Sequence, residues 1–168
     1  LMDEPLSNLD ALLRLEMRAE LKGVLAESKT TTIYVTHDQV EAMSLADRIA
    51  VMHGGHIVQA APAMDVYAKP ATRFVGGFIG NPPMNFLAAR RDGTTAIVAG
   101  QSFAAPAGDR PLLFGLRPED ADPGETGLSA RIKLIEPLGP HQLVSLDVGG
   151  EPFRAVLDNR HKLTPGAT

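Results

Sequence analysis

The sequence predicts an α/β part followed by an all-β part. Between residues 1 and 80, apolar strand-like segments alternate with segments of helical spacing, which is typical of an α/β sheet with parallel strands. Asn81-Pro82-Pro83 then interrupts the pattern. From there to residue 168, short strand-like segments lie between Gly and Pro turns that recur about every ten residues, which indicates a small β-barrel. We therefore expect one domain at residues 1–80 and another at residues 81–168.

The first part is expected to contain four strands and four helices. Asp10 and Asp38 are good N-caps for the first two helices, and Gly54-Gly55 is suited to a hairpin turn. The strands are expected at residues 1–3, 31–36, 48–53 and 56–60, the first two of them buried. The helices are expected at residues 11–27, from Asp38 to about 45, 62–68 and 72–79. Apolar side chains on one face of the first helix, and Val40 with Met43 on the second, indicate faces that pack in a core.

The second part is expected to consist of six strands. Alternating apolar residues and turn signals place them at residues 85–90, 94–99, 112–116, 129–138, 142–148 and 152–157. Residues 104–111 are rich in Ala, Pro and Gly, and they are expected to form a loop.

The composition excludes several classes of function. A formal net charge of -4 indicates no basic surface for a nucleic-acid partner. The chain has no cysteine, which excludes disulfides and thiolate metal sites. Its apolar runs are far shorter than the roughly 20 residues that cross a bilayer. We expect a soluble, cytoplasmic chain with no direct membrane insertion, whose link to a membrane is made through partner proteins.

The most informative residues are two adjacent acids at the end of the first strand, Asp3 and Glu4. Side chains alternate along a strand, so the two carboxylates point to opposite sides. One can serve a metal ion while the other reaches a water molecule, as Mg²⁺-dependent phosphoryl transfer requires. The pair alone is also compatible with solvated acids that end a strand before the Pro5 turn.

The residues around this pair carry a family resemblance. Leu1-Met2-Asp3-Glu4-Pro5-Leu6-Ser7-Asn8-Leu9-Asp10 resembles the Walker B segment and D-loop of an ABC-transporter ATPase. Further along, Val35-Thr36-His37-Asp38-Gln39-Val40-Glu41-Ala42-Met43 resembles the switch-histidine segment of the same family. The resemblance implies that residues 1–80 are the C-terminal portion of a P-loop ATPase core.

The resemblance also implies a role for each site residue. Asp3 is expected to hold Mg²⁺, and Glu4 to polarise the attacking water as general base. His37 is expected to reach the γ-phosphate of ATP. Three D-loop residues are expected at the interface between two ATPase subunits, and these are Ser7, Asn8 and Asp10.

The second part resembles the OB-like regulatory (TOBE-type) domain of ATPases that energise sugar importers of the maltose and glycerol-phosphate type. The resemblance lies in residues 78–87, in Phe114-Gly115-Leu116-Arg117-Pro118-Glu119-Asp120 and in Glu136-Pro137-Leu138-Gly139. It implies a second ATPase subunit, two permease subunits and a periplasmic sugar-binding protein as partners, at the inner face of the cell membrane. Polyamine and iron importers share the general layout, so that alternative stays open.

The sequence lacks three other motifs of the resembled family: the Gly-x-x-x-x-Gly-Lys-Ser/Thr phosphate loop, the Leu-Ser-Gly-Gly-Gln signature and the glutamine loop. We therefore expect a fragment whose regulatory domain is incomplete at its C-terminus. ATP and Mg²⁺ are implied for the intact protein, but this chain alone is expected neither to bind nor to hydrolyse ATP. Its sheet is expected to expose an edge and an apolar face, and thus to favour self-association.

Two further functions stay open, a non-catalytic regulatory and dimerisation module and a small-ligand sensor built on the OB-like barrel. Arg117 is expected to tie down a turn through Glu119. The remaining histidines show no metal-binding spacing and are expected at the surface. These are His53, His56, His141 and His161.

Overall fold

The computed structural model describes all 168 residues, which form two compact units, Leu1–Gly80 and Asn81–Thr168. The first unit mixes helices and strands, whereas the second contains strands and one 3-10 turn at Pro118–Asp120. The predicted succession of an α/β part and an all-β part is confirmed. None of the helices combines the length and the apolar character needed to cross a bilayer.

The first unit contains four strands and four helices in the expected order. The strands are β1 (Met2–Asp3), β2 (Tyr34–Val35), β3 (Arg48–His53) and β4 (His56–Pro62). The helices are α1 (Ala11–Ser28), α2 (Gln39–Leu45), α3 (Ala63–Ala68) and α4 (Arg73–Phe78). Side-chain oxygens of Asp10, Asp38 and Thr72 accept backbone N–H groups at the starts of α1, α2 and α4, so polar residues set where these helices begin.

Parallel pairing in this unit is limited to β1 and β2, where Met2 pairs with Tyr34 and Asp3 with Val35. Strands β3 and β4 form a separate antiparallel hairpin. The expectation of a buried strand over residues 31–36 is wrong, because only Tyr34 and Val35 lie in a strand and Val35 is 44% exposed. A β-branched run favours extended backbone, but a strand requires a pairing partner, and β2 has one only along two residues.

The core of the first unit lies between the hairpin and the short helices. Ile49 and Val51 of β3 pack with Val66 of α3 and Val75 of α4. Met43 of α2 packs against this core as expected, whereas Val40 is 55% exposed. Helix α1 contributes no buried residue, which contradicts the expectation that its apolar face is packed within this chain.

The second unit consists of two antiparallel sheets. One has the order β7-β6-β5-β8 and the other the order β11-β10-β9. The first sheet comprises β5 (Asn85–Asp92), β6 (Thr95–Val98), β7 (Gln101–Ala104) and β8 (Leu112–Leu116). The second comprises β9 (Arg131–Leu138), β10 (His141–Val148) and β11 (Glu151–Asp158). Strand β7 was not expected, and Ala104 ends it rather than opening the loop. Its four residues lack an apolar alternation, and pairing with β6 holds them extended.

The two sheets of the second unit share one of its two core clusters, formed by Leu87, Val98, Val148 and Phe153. The other cluster lies within the β11-β10-β9 sheet and consists of Ile132, Val144, Ala155 and Leu157. The side chain of Asn85 joins them, since its Nδ2 donates to the carbonyl oxygen of Arg154 at 2.8 Å and its Oδ1 accepts from Arg154 N at 2.8 Å. Asn85 therefore takes the place of a backbone partner between β5 and β11. Because Asn85 is only 9% exposed, little water competes for these bonds.

Candidate functional site

The structure brings together two of the predicted site residues, Glu4 and His37. Parallel pairing of β1 with β2 places the ends of both strands at the same edge, and the Glu4 amide donates to the Val35 carbonyl at 2.9 Å. Beyond this edge, His37 Nδ1 lies 2.9 Å from Glu4 Oε1, although the two residues are 33 positions apart. The α/β topology therefore assembles a carboxylate–imidazole pair from two separate motifs.

The backbone at Glu4 is in the left-handed region, with φ of 45°. This conformation is uncommon for a residue with a side chain, and it is stabilised here by the turn that follows. The Ser7 amide donates to the Glu4 carbonyl at 3.2 Å, and Ser7 Oγ donates to the same oxygen at 3.0 Å. The sharp turn at Glu4 and Pro5 thus ends β1 and directs the Glu4 side chain toward His37.

The pair carries complementary charge. The hydrogen bond that Glu4 accepts from His37, and then the negative charge of Glu4, raise the pKa of His37 above the ordinary value. The His37 side chain is 71% exposed and that of Glu4 43% exposed. His37 Nε2 and the second carboxylate oxygen of Glu4 therefore remain accessible to a ligand. A carboxylate base beside an imidazole that can donate to an anion is suited to phosphoryl transfer to water.

Asp3 lies at the end of β1, where its side chain is exposed. The structure contains no cluster of three or more His, Asp and Glu side chains that could by itself hold a metal ion. Magnesium sites often use only one or two carboxylates, with water and substrate phosphates as the other ligands. A single exposed carboxylate such as Asp3 is compatible with a site of that kind.

The three residues expected at a subunit interface, Ser7, Asn8 and Asp10, differ in their surroundings. Asp10 Oδ1 accepts the Leu13 amide at 2.9 Å, which caps α1. Ser7 is half-buried in the turn after Glu4, whereas Asn8 is exposed. The capping bond of Asp10 uses one oxygen and leaves the other for a different contact.

Two residues of this region were not identified from the sequence as parts of the site. The Arg14 side chain contacts both the turn after Glu4 and the residue after His37. Glu41 is only 2% exposed and accepts from Tyr34 Oη at 2.9 Å and from Thr36 Oγ1 at 2.7 Å. Burial, and then the bond to Glu41, raise the pKa of Tyr34.

The sequence contains a pattern that involves Glu41, but this pattern predicts a hydrogen bond that differs from the one in the structure. Asp38 and Glu41 have the spacing of a capping box, in which Glu41 would accept the Asp38 amide. That amide instead donates to Thr36 Oγ1 at 3.0 Å, and Glu41 turns inward to β2. Arg14 had no comparable signal, since helical spacing alone assigns it to the polar face of α1.

The other histidines were expected at the surface. The ring of His53 packs against that of Phe74, with centroids 4.1 Å apart and planes tilted by 31°, and His161 is half-buried rather than fully at the surface. Arg117 is 3% exposed, and its carbonyl accepts the Asp120 amide at 3.1 Å. The contact of its side chain with Glu119 stays a prediction.

Comparisons with known proteins identify a domain family and relatives that match the chain along its length. Residues 114–168 match the TOBE domain. The whole chain is similar to an uncharacterised ABC transporter ATP-binding protein of Sinorhizobium fredii, with 44% identity over 99% of this chain and 47% of the relative. An sn-glycerol-3-phosphate import ATP-binding protein of Cupriavidus metallidurans is 43% identical over 99% of this chain and 50% of its own length. A trehalose/maltose import ATP-binding protein of Thermococcus litoralis is 47% identical over 91% of this chain and 47% of its own length.

The chain spans about half the length of the curated relatives it matches. Both of its structural units take part in these matches, since two of the alignments cover 99% of its residues. By its sequence, this chain belongs to the family of ABC-transporter ATP-binding proteins and contains their TOBE domain.

Proposed function

We propose that this chain supplies the water-activating part of an ATP-hydrolysis site in a subunit that energises an importer of sugars or sugar phosphates. The observation that carries the proposal is the 2.9 Å contact between Glu4 and His37, formed by two motifs at the ends of adjacent parallel strands. The relatives that are named as import ATP-binding proteins support the same reaction class.

Each side chain has a role in this proposal. Glu4 accepts a proton from the attacking water as general base, and His37 donates from its ring to an oxygen of the γ-phosphate. Asp3 supplies a carboxylate oxygen to Mg²⁺, which, when bound, neutralises charge on the phosphates. Ser7 and Asn8 lie on the turn that follows Glu4, and Asp10 lies between this turn and α1. A second ATPase subunit that contacts these residues can therefore influence the position of Glu4.

The 168 residues contain no Gly-x-x-x-x-Gly-Lys-Ser/Thr segment. That segment supplies the backbone N–H groups and the lysine that cradle nucleotide phosphates. We therefore expect this chain by itself neither to bind ATP tightly nor to hydrolyse it, and Glu4 and His37 to act only when a phosphate loop is joined to them.

The proposed setting is a transporter complex. Two ATPase subunits would associate with two permease subunits and receive substrate from a periplasmic sugar-binding protein. The ATPase would then lie at the cytoplasmic face of the membrane through the permease. Carbohydrate is preferred over polyamine or iron as cargo because relatives named for trehalose/maltose and for glycerol-3-phosphate match over both units.

The test uses the chain alone and the chain joined to the part of the Sinorhizobium fredii relative that it does not match. Titration calorimetry of the chain alone with Mg-ATP should show no binding. The joined protein should hydrolyse ATP, and Glu4→Gln should lower kcat by about a hundredfold or more, since general-base catalysis contributes about 10²–10⁴-fold. Glu16→Gln, an exposed substitution on α1, is the control.

Undiminished ATP hydrolysis in the Glu4→Gln protein would contradict the catalytic role of Glu4. Turnover by the chain alone that disappears in Glu4→Gln would contradict the need for a phosphate loop from outside these residues. A second candidate function, a regulatory and dimerisation module, is favoured by the match of residues 114–168 to the TOBE domain. It becomes the better description if the joined protein binds partners but does not hydrolyse ATP.

A further inference from the structure

The side chain of Arg14 lies between the two segments that carry Glu4 and His37. Its Nη2 donates to the carbonyl oxygens of Leu9 at 2.9 Å and Ser7 at 3.4 Å. Its Nη1 lies 3.7 Å from Asp38 Oδ2. One guanidinium therefore contacts the turn after Glu4 on one side and the residue after His37 on the other.

The turn that Arg14 holds is also the turn that holds Glu4. Ser7 donates both its amide and its hydroxyl to the Glu4 carbonyl, at 3.2 and 3.0 Å. Arg14 restricts the movement of this turn, because its planar guanidinium donates to two of the carbonyl oxygens of the turn at once. A movement of residues 7–9 would therefore shift the Glu4 backbone, and Arg14 opposes that movement.

The residue that Arg14 contacts on the other side also has a fixed position. The Asp38 amide donates to Thr36 Oγ1 at 3.0 Å, and Asp38 Oδ1 accepts the Val40 amide at 2.7 Å. Thr36 Oγ1 donates to the buried Glu41 carboxylate at 2.7 Å. Both sequence neighbours of His37 are thus anchored, and Arg14 connects one of them to the turn after Glu4.

The other interactions that hold Glu4 near His37 are few, so a connection through Arg14 matters for their separation. Strands β1 and β2 pair along only two residues each. The Glu4 and His37 side chains are both exposed to solvent, and an exposed ion pair contributes little to holding its own geometry. Arg14 and Asp38 are more shielded, with side chains 32% and 25% exposed.

We propose that Arg14 is a positioning residue, which sets the separation of Glu4 and His37 by fastening the turn at residues 7–9 to Asp38. The inference rests on the proposed function for its catalytic consequence, whereas its geometric content concerns this chain alone. A displacement of about 1 Å at a reacting group can cost about a hundredfold in rate, so a residue outside the reacting atoms can influence turnover.

The first test is spectroscopic and uses the 168-residue chain. In Arg14→Gln, the amides of Ser7 and Asp38 should exchange with solvent about tenfold faster, as local opening becomes easier. The ring ¹⁵N signals of His37 should also lose the signature of the hydrogen bond at Nδ1. Arg18→Gln is the matched control, since it removes the same charge from the same helix without a contact to either segment.

A second variant separates the two sides of the contact. Asp38→Asn keeps a good N-cap for α2 but removes the charge that faces Arg14. It should speed exchange at Ser7 by less than Arg14→Gln does, because the bonds to Leu9 and Ser7 remain. Arg14→Lys should restore part of the His37 signature. If Arg14→Gln unfolds the chain, Asp38→Asn decides the question, and an unchanged His37 spectrum in Asp38→Asn overturns the inference.

The second test is kinetic and uses the joined protein described above. Arg14→Gln should lower kcat about tenfold with little change in KM, since the interaction lost is one that matters for the aligned transition state. Exchange rates and His37 spectra equal to those of Arg18→Gln would overturn the inference, even if Glu4 proves catalytic. If Glu4→Gln leaves turnover intact, the proposed function fails, and the spectroscopic result still decides whether Arg14 positions the pair.

Discussion

At the scale of single residues, the site depends on two carboxylates in opposite environments. Glu4 is exposed and faces His37, whereas Glu41 is buried and receives two hydroxyl groups. An exposed carboxylate can exchange partners with a nucleotide or water at little cost. A buried one without its donors would be strongly destabilising, so Glu41 serves to hold β2 against α2.

The Glu4–His37 pair makes stability depend on pH. Because Glu4 raises the pKa of folded His37, the stabilisation is fully present below the unfolded pKa of about 6.5 and is lost as pH rises through the folded pKa. NMR titration of His37 should show its pKa falling toward the ordinary value in Glu4→Gln but not in Glu16→Gln. An unchanged His37 pKa in Glu4→Gln would show that the pair does not form in solution.

The hydrogen bond from Tyr34 to Glu41 should contribute to the stability of the chain, and Tyr34→Phe removes this bond without changing the net charge. Tyr34→Phe removes one of the two donors to a buried carboxylate, and it should lower the free energy of unfolding by about 1–3 kcal/mol. Urea unfolding followed by circular dichroism measures this change. Thr31→Ala, an exposed substitution near β2, should change the value by less than about 0.5 kcal/mol. Equal effects of the two substitutions would contradict the assignment.

At the scale of elements, short helices complete the core of the first unit. Helix α3 has only six residues, which is too short to be stable without tertiary packing. Val66 provides that packing, since it is fully buried against the β3–β4 hairpin and α4. Gln39 Oε1 also accepts the Gly80 amide at 2.7 Å, which ties the segment after α4 to the start of α2.

Two apolar residues of α3, Val66 and Met64, differ in burial, so their substitution by Ala should change the free energy of unfolding by different amounts. Val66→Ala should lower the free energy of unfolding by about 2 kcal/mol, because two buried methyl groups are lost and a cavity remains. Met64→Ala on the same helix should change it by less than about 0.5 kcal/mol, since Met64 is 66% exposed. Chemical unfolding of the first unit provides the comparison, and a larger loss for Met64 would contradict this packing.

At the scale of the whole molecule, apolar surface is unevenly distributed. Helix α1 exposes Leu12 at 68%, Leu15 at 55% and Val24 at 60%, and β2 is preceded by Ile33 at 66%. Each value alone is ordinary, but together they leave a long helix without a packed face. Relatives about twice as long have additional chain that can cover such a surface.

We therefore expect this chain to self-associate as its concentration rises. Sedimentation velocity should show a concentration-dependent increase in mass, and Leu12→Glu combined with Leu15→Glu should reduce it by placing charge on the exposed face. Glu16→Gln on the same helix is the control. A monomer at every concentration would contradict the expectation.

The sequence determined the local structure well where the determinants are local. Asp10 and Asp38 cap helices where expected, and residues 48–53 form a strand with the expected bounds. The Asp-Glu-Pro and Thr-His-Asp segments also indicate the family from the sequence alone, and the relatives of the chain agree with that assignment. Strand β7 was missed and residues 31–36 were overestimated, since strand formation depends on a partner distant in sequence.

Only the tertiary structure decided which side chains meet. Parallel pairing of β1 and β2 brings Glu4 to His37, and the path of α1 carries Arg14 between their segments. The tertiary structure also buries Glu41, whose carboxylate accepts from Tyr34 and not from the Asp38 amide. Periodicity can assign a residue to a face of a helix, but the choice of partner depends on distances between segments that are far apart in the chain.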